Sequence, residues 1–245
     1  MKAIRSRKRI TDIDEPAEET EIGPNHTVIT GLIFRRKKGC HFVRLVERKY
    51  RKLIDSPTPI IQKWHERLQT TISEEGWRKI FVIHRSSQLE SKFQWFQVRL
   101  LQNILGTRKR MNLIRPTDYP NPLCTFCDQV PETIIHLFHE CPVSAKLWDE
   151  LRSWFCELAE EELTFTRLMH LFGATFKRHD DPLNVCLLIT RFYIWYCKCS
   201  ETLPSFSALT NYLQFYLKTL KMTFNMKGRR DQFESRWLKF LSWIG

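Results

Sequence analysis

The sequence predicts a mainly α protein: a helical, bundle-like body with a small irregular Cys-Cys-His-Cys metal module inserted in its middle. Three observations predict it. Apolar residues recur every three or four positions through most of the chain after Pro59. Cys124, Cys127, His136 and Cys141 lie close together near the centre, between prolines. A β-favouring run occurs in one short stretch, His26 to Ile33, where Thr27, Val28, Ile29 and Thr30 suit a strand.

Taken in order, residues 1–25 read as a disordered charged tail. Arg5 to Arg9 are basic, and Asp12, Asp14, Glu15, Glu18, Glu19 and Glu21 follow with few apolar anchors. Residues 26–58 form a basic linker. There Phe42, Leu45, Val46 and Tyr50 recur at helical spacing among Arg35, Arg36, Lys37, Lys38, Arg44, Arg48, Lys49, Arg51 and Lys52. Pro57 and Pro59 end that pattern. An N-terminal helical region spans 59–110. Ile61, Trp64 and Leu68 share one face, and Ser73-Glu74-Glu75-Gly76-Trp77 opens a second helix with Trp77, Ile80 and Phe81 inward. Residues 88–105 form a third, with Leu89, Phe93, Phe96, Leu100 and Ile104 inward and Gly106 as its cap. Arg108-Lys109-Arg110 and a proline-rich turn lead to the metal module, 111–160.

Within and beyond the module, Pro142 suits the first position of a helix. Val143, Leu147, Leu151, Trp154, Phe155 and Leu158 form its apolar stripe. The C-terminal helical region, 161–245, holds four more helices: about 164–172; 182–199, apolar nearly all round and hence central; 205–224; and 231–243, with Phe233, Trp237, Phe240 and Leu241 inward.

In the module the spacing is Cys-x2-Cys, eight residues, then His-x4-Cys. Two residues between cysteines is the span of a tight turn that aims both sulfurs into one site. Three soft sulfurs and one imidazole suit zinc better than magnesium or calcium. The set Cys124, Cys127, His136 and Cys141 is closed, so the single Zn2+ is structural rather than catalytic. His139 is the rival to His136, three residues on. Cys40, Cys156, Cys186, Cys197 and Cys199 read as buried thiols, with Cys197 and Cys199 facing different ways.

Charge and chemistry narrow the function. Thirty-nine Lys and Arg against twenty-seven Asp and Glu give a net charge of +12 and favour a polyanionic partner, RNA or DNA. The candidate contacts are Trp95 and Arg99 on one helix, Arg108, Lys109, Arg110 and Arg115 between that helix and the metal, and Phe126 inside the Cys turn. Trp95 and Phe126 have core packing as the alternative, and Arg108 to Arg110 a solvated loop. The N-terminus is basic with no apolar stretch behind it, and no apolar run is long enough for a bilayer. Together these lead to an intracellular protein, in nucleus or cytoplasm, with neither membrane nor small-molecule substrate as partner. No nucleophile motif or Gly-rich phosphate loop is present. The Asp180-Asp181 pair precedes Pro182 as a helix-start loop rather than a two-metal palm site, so no enzyme activity is expected.

Phe93-Gln94-Trp95-Phe96-Gln97, Leu105-Gly106-Thr107, Pro122-Leu123-Cys124, Cys127, Glu132-Thr133, His136-Leu137-Phe138, Cys141-Pro142 and Leu147-Trp148 resemble the zinc-binding segment that follows the polymerase in non-LTR retrotransposon (LINE) reverse transcriptases. More weakly, Trp64 to Phe81 and Arg191-Phe192-Tyr193-Ile194-Trp195 extend the likeness to about residues 50–243. The resemblance implies zinc ligation by Cys124, Cys127, His136 and Cys141, and a grip on RNA or DNA without a polymerase domain. The second reading is a zinc-stapled interaction module that docks a reverse transcriptase polypeptide.

Overall fold

The computed structural model describes residues 59–85, 90–178 and 180–244. These fall within one compact unit, Leu53–Gly245. The charged tail, the strand at 26–33, the basic helix at 35–52 and Cys40 lie outside the described residues.

Among the described residues there is no strand, and the helices follow their local signals. Helix α1, Pro59–Leu68, buries Trp64 and Leu68, one turn apart. Helix α2, Glu74–Arg85, starts where the Ser73 hydroxyl accepts the Gly76 N–H at 3.1 Å. Helix α3, Ser91–Leu101, turns Phe93, Phe96 and Leu100 inward. The expected stop at Gly106 is corrected: α3 ends earlier, at Asn103, whose φ of 54° is left-handed. Asn103 N–H donates to Leu100 O at 2.8 Å and Ile104 N–H to Arg99 O at 2.9 Å. This is the two-bond Schellman ending, which Asn tolerates better than most residues after glycine.

Residues 108–114, for which the sequence offered a solvated loop only as the alternative at Arg108 to Arg110, form helix α4, Arg108–Ile114. After the metal module come α5, Pro142–Ala159; α6, Arg167–Phe172; α7, Pro182–Cys199; and α8, Phe206–Met226. Pro142 and Pro182 sit in the first turns of α5 and α7, while Thr166, Asp181 and Ser205 accept backbone N–H groups at the starts of α6, α7 and α8. Gly173, φ 99°, ends α6 where a Cβ would meet Asn184 Oδ1 at 2.8 Å, so only glycine fits. The last expected helix is two, α9 (Arg230–Trp237) and α10 (Leu241–Ile244), joined by a 3₁₀ turn, Leu238–Phe240.

Helix α7 is the central element, and it packs against α3, α6, α8 and the turn that carries His136. Phe93 meets Phe192 and, edge-on, Tyr216, at centroid distances of 4.6 and 4.9 Å. Trp64 joins α1 to the rest: its ring meets Phe172 edge-on at 5.0 Å and its indole N–H donates to Leu101 O at 2.8 Å. Arg191, fully buried in the middle of α7, donates one bond, to Met169 O at 3.0 Å. Burial lowers its pKa to about 9. Of the remaining cysteines, Cys186 and Cys197 are buried, Cys156 is half-buried and Cys199 is exposed, which corrects the uniform buried reading. Cys199 is two residues from Cys197 and so leaves the inward face of α7. Among the described residues no helix is long and apolar enough to cross a membrane.

Candidate metal centre

The Cys-x2-Cys segment is a knuckle at the end of a minimal hairpin. Glu132 N–H donates to Pro122 O and Cys124 N–H to Val130 O, both at 2.8 Å, around the single bridge between Leu123 and Pro131. Asp128 closes the turn with φ 51° and a 2.9 Å bond from its N–H to Cys124 O. Phe126 N–H donates to Cys124 Sγ at 3.4 Å, a bond that steadies a sulfur ligand.

The other two donors come from the chain after Thr133, whose hydroxyl accepts the His136 N–H at 2.9 Å. His136–Glu140 is a π-helical turn closed by Cys141 N–H to His136 O at 2.8 Å. In an α-helix, five residues would rotate Cys141 roughly 140° away from His136. The wider turn brings the two back to one side. Its freed carbonyls find side chains on α5: Ser144 Oγ donates to Leu137 O and Trp148 Nε1 to Phe138 O, both at 2.7 Å.

The four donor atoms, three Sγ and one imidazole nitrogen, lie within 4.8 Å of one another. Cys124 Sγ and Cys141 Sγ are 3.9 Å apart, and Cys127 Sγ is 3.3 Å from His136 Nε2. A tetrahedral zinc with sulfur ligands at about 2.3 Å sets edges of about 3.8 Å, so the donor set fits that ion. The Cys124 thiol is pushed up by the hydrogen bond it gives to Cys141, and then by burial. Accepting that bond lowers Cys141. Burial lowers His136, which favours the neutral imidazole that ligates metals. His139 points elsewhere: its Nδ1 is 3.0 Å from Nδ1 of His170.

His170 itself was not singled out from sequence. It stacks on Trp148 at 4.5 Å with the planes 4° apart, and its Nε2 is buried with no hydrogen-bond partner. Burial first, then His139 and Arg191, depress its pKa to about 3 against an unfolded value near 6.5. The unfolded chain therefore binds the extra proton between those values. His170's contribution to stability is complete above about pH 6.5 and is lost as pH falls toward 3. Urea melts across that window should show a shallower pH slope for His170→Gln than for wild type; equal slopes would refute this assignment.

The expected nucleic-acid contacts are placed as follows. Trp95 is exposed (39%) and so are Arg99, Lys109 and Arg115. Arg108 is half-buried, with its guanidinium 3.1 Å from Glu201, and Arg110 donates to Asn103 O at 3.4 Å. Phe126 is buried (8%) in the core, so its ring presents no open face for a base. Asp181 caps α7 by accepting the Leu183 N–H at 3.0 Å, and Asp180 pairs with Arg236 at 2.9 Å, as a helix-start loop requires.

Glu132 lies two residues before the helical turn that begins at Ile134, but its carboxylate points to other elements. It is fully buried; its Oε1 accepts from Arg108 N–H at 2.8 Å and its Oε2 from Thr125 N–H and Oγ1 at 2.9 and 2.6 Å.

Fold and site thus define a helical protein with a mid-chain Cys3His cluster that could hold a metal ion. Residues 61–148, from α1 into the first turns of α5, match the family model described as zinc-binding in reverse transcriptase. This stretch is a reverse transcriptase zinc-binding segment, a zinc-binding rather than a catalytic family. No curated protein matches the chain.

Proposed function

We propose that the chain acts as a non-catalytic, nucleic-acid-binding module of the kind that follows the polymerase in non-LTR retrotransposon reverse transcriptases, with one structural Zn2+ on Cys124, Cys127, His136 and Cys141. When bound, the zinc cross-links the knuckle to the π turn and so contributes folding free energy. The four residues complete a tetrahedral set.

The observation that carries the nucleic-acid reading is the charge beside the metal centre. From Ser91 to Thr117 there is no acidic residue, while Lys92, Arg99, Arg108, Lys109, Arg110 and Arg115 are all basic. Exposed Lys109 lies in the first turn of α4 and exposed Arg115 just after its end, and exposed Trp95 with Arg99 lies on α3. Phosphates would meet the cations, and an unstacked base the indole face.

Filter binding of single-stranded RNA and DNA tests this. With four phosphates neutralised, affinity should fall about 50-fold for a fourfold rise in salt, and Arg115→Ala should flatten that dependence. No retention even at low salt would end the proposal. Exposed Leu113 (76%) and Ile114 (57%) favour a second reading, docking to a polymerase polypeptide. A protein complex insensitive to salt would favour it.

A further inference from the structure

We infer that Glu132 couples occupancy of the metal knuckle to the placement of the basic helix α4, as a positioning residue for the surface just assigned to nucleic acid. Its functional consequence rests on that assignment, but the coupling itself does not.

Helix α4 has seven residues, too few to persist on its own propensity. Its Thr107 side chain makes no capping bond. Residue 132 supplies the cap instead, 24 positions further on: Oε1 accepts the Arg108 N–H at 2.8 Å and the backbone carbonyl accepts the Lys109 N–H at 3.3 Å. Two of the N–H groups that every helix start leaves unpaired thus depend on Glu132.

The other carboxylate oxygen serves the knuckle. Thr125, next to the ligand Cys124, gives both its N–H and its hydroxyl to Oε2. Lys198 of α7 supplies a cationic partner, with Nζ 3.8 Å from Oε1 and 2.7 Å from Gly106 O. The carboxylate is fully buried, so every donor matters. When the knuckle loses the ion that holds Cys124 and Cys127 to His136 and Cys141, Thr125 is released. Oε2 then loses both donors. A half-satisfied buried carboxylate turns toward water, and α4 loses its cap. Lys109 and Arg115 keep one arrangement only while the knuckle is closed.

Hydrogen exchange at the Arg108 and Lys109 amides, on the full chain with zinc loaded or stripped by a chelator, tests this directly. In wild type, stripping should speed both amides about tenfold or more while α8 holds its protection. In Glu132→Gln an amide NH2 replaces one acceptor oxygen, so the side chain can no longer accept from both Arg108 and Thr125, and stripping should add less than about twofold at the Arg108 amide. Thr125→Val loses the hydroxyl but keeps the N–H, and should show an intermediate stripping effect. It carries the test if Glu132→Gln does not fold.

A full stripping effect in Glu132→Gln or in Thr125→Val would overturn the inference. Oligonucleotide retention measured in parallel separates the two proposals. A wild type that fails to bind while the exchange pattern holds removes the nucleic-acid reading alone. Intact binding with unlinked exchange removes the role of Glu132 alone.

Discussion

Cys124→Ser and His136→Ala should each lose about one equivalent of zinc per chain and unfold the protein locally between about residues 105 and 148. Ligation by a closed tetrahedral set supplies free energy to folding, roughly 10 kcal/mol or more in isolated zinc modules, so removing one ligand forfeits much of it. The loss should stay local, because the knuckle and the π turn are tied to the body by few elements. Trp148 anchors Phe138 O, Ser144 anchors Leu137 O, and Glu132 holds Thr125 and Arg108. Metal analysis by atomic emission gives the first readout and hydrogen exchange the second. The matching control is His139→Ala, whose imidazole faces His170; it should retain the metal. Full metal content in Cys124→Ser would refute the assigned ligand set.

Trp148→Ala should cost about 3–5 kcal/mol in urea unfolding, by the usual price of deleting a buried large aromatic. Trp148 is 1% exposed, stacks on His170 and closes the π turn through its indole N–H. Truncation leaves a void, a carbonyl without its donor and a histidine without its neighbour. Trp148→Phe keeps most of the ring but not the donor, so it should cost about 1–2 kcal/mol. A change under about 1 kcal/mol for the alanine variant would mean that Trp148 is not the link between the turn and α5.

Much of this protein was legible before the fold because the signals are local. Ser73, Asp181 and Ser205 satisfy backbone donors two or three residues ahead, so the starts of α2, α7 and α8 could be read from the local sequence. Pro142 marked α5 for the same reason. Asp181 as a helix cap followed from its place before Pro182. The metal centre was legible because its donors lie within a short stretch, and soft ligands at such spacing have few other uses.

Where the outcome depended on a distant partner, the sequence pattern was silent. Helix α4 exists because Glu132 caps it from across the knuckle. The ring of Phe126 sits in a turn, where periodicity carries no sense of inside and outside, and only packing buried it.

The amino-acid sequence by itself determined a mainly helical body, its helix starts and a Cys3His donor set, since each follows from contacts a few residues apart. The tertiary structure alone decided where α3 ends and which way Glu132 points. The π turn, the Schellman ending and the buried carboxylate all settle by pairing backbone groups with partners that only the folded chain brings within hydrogen-bond reach.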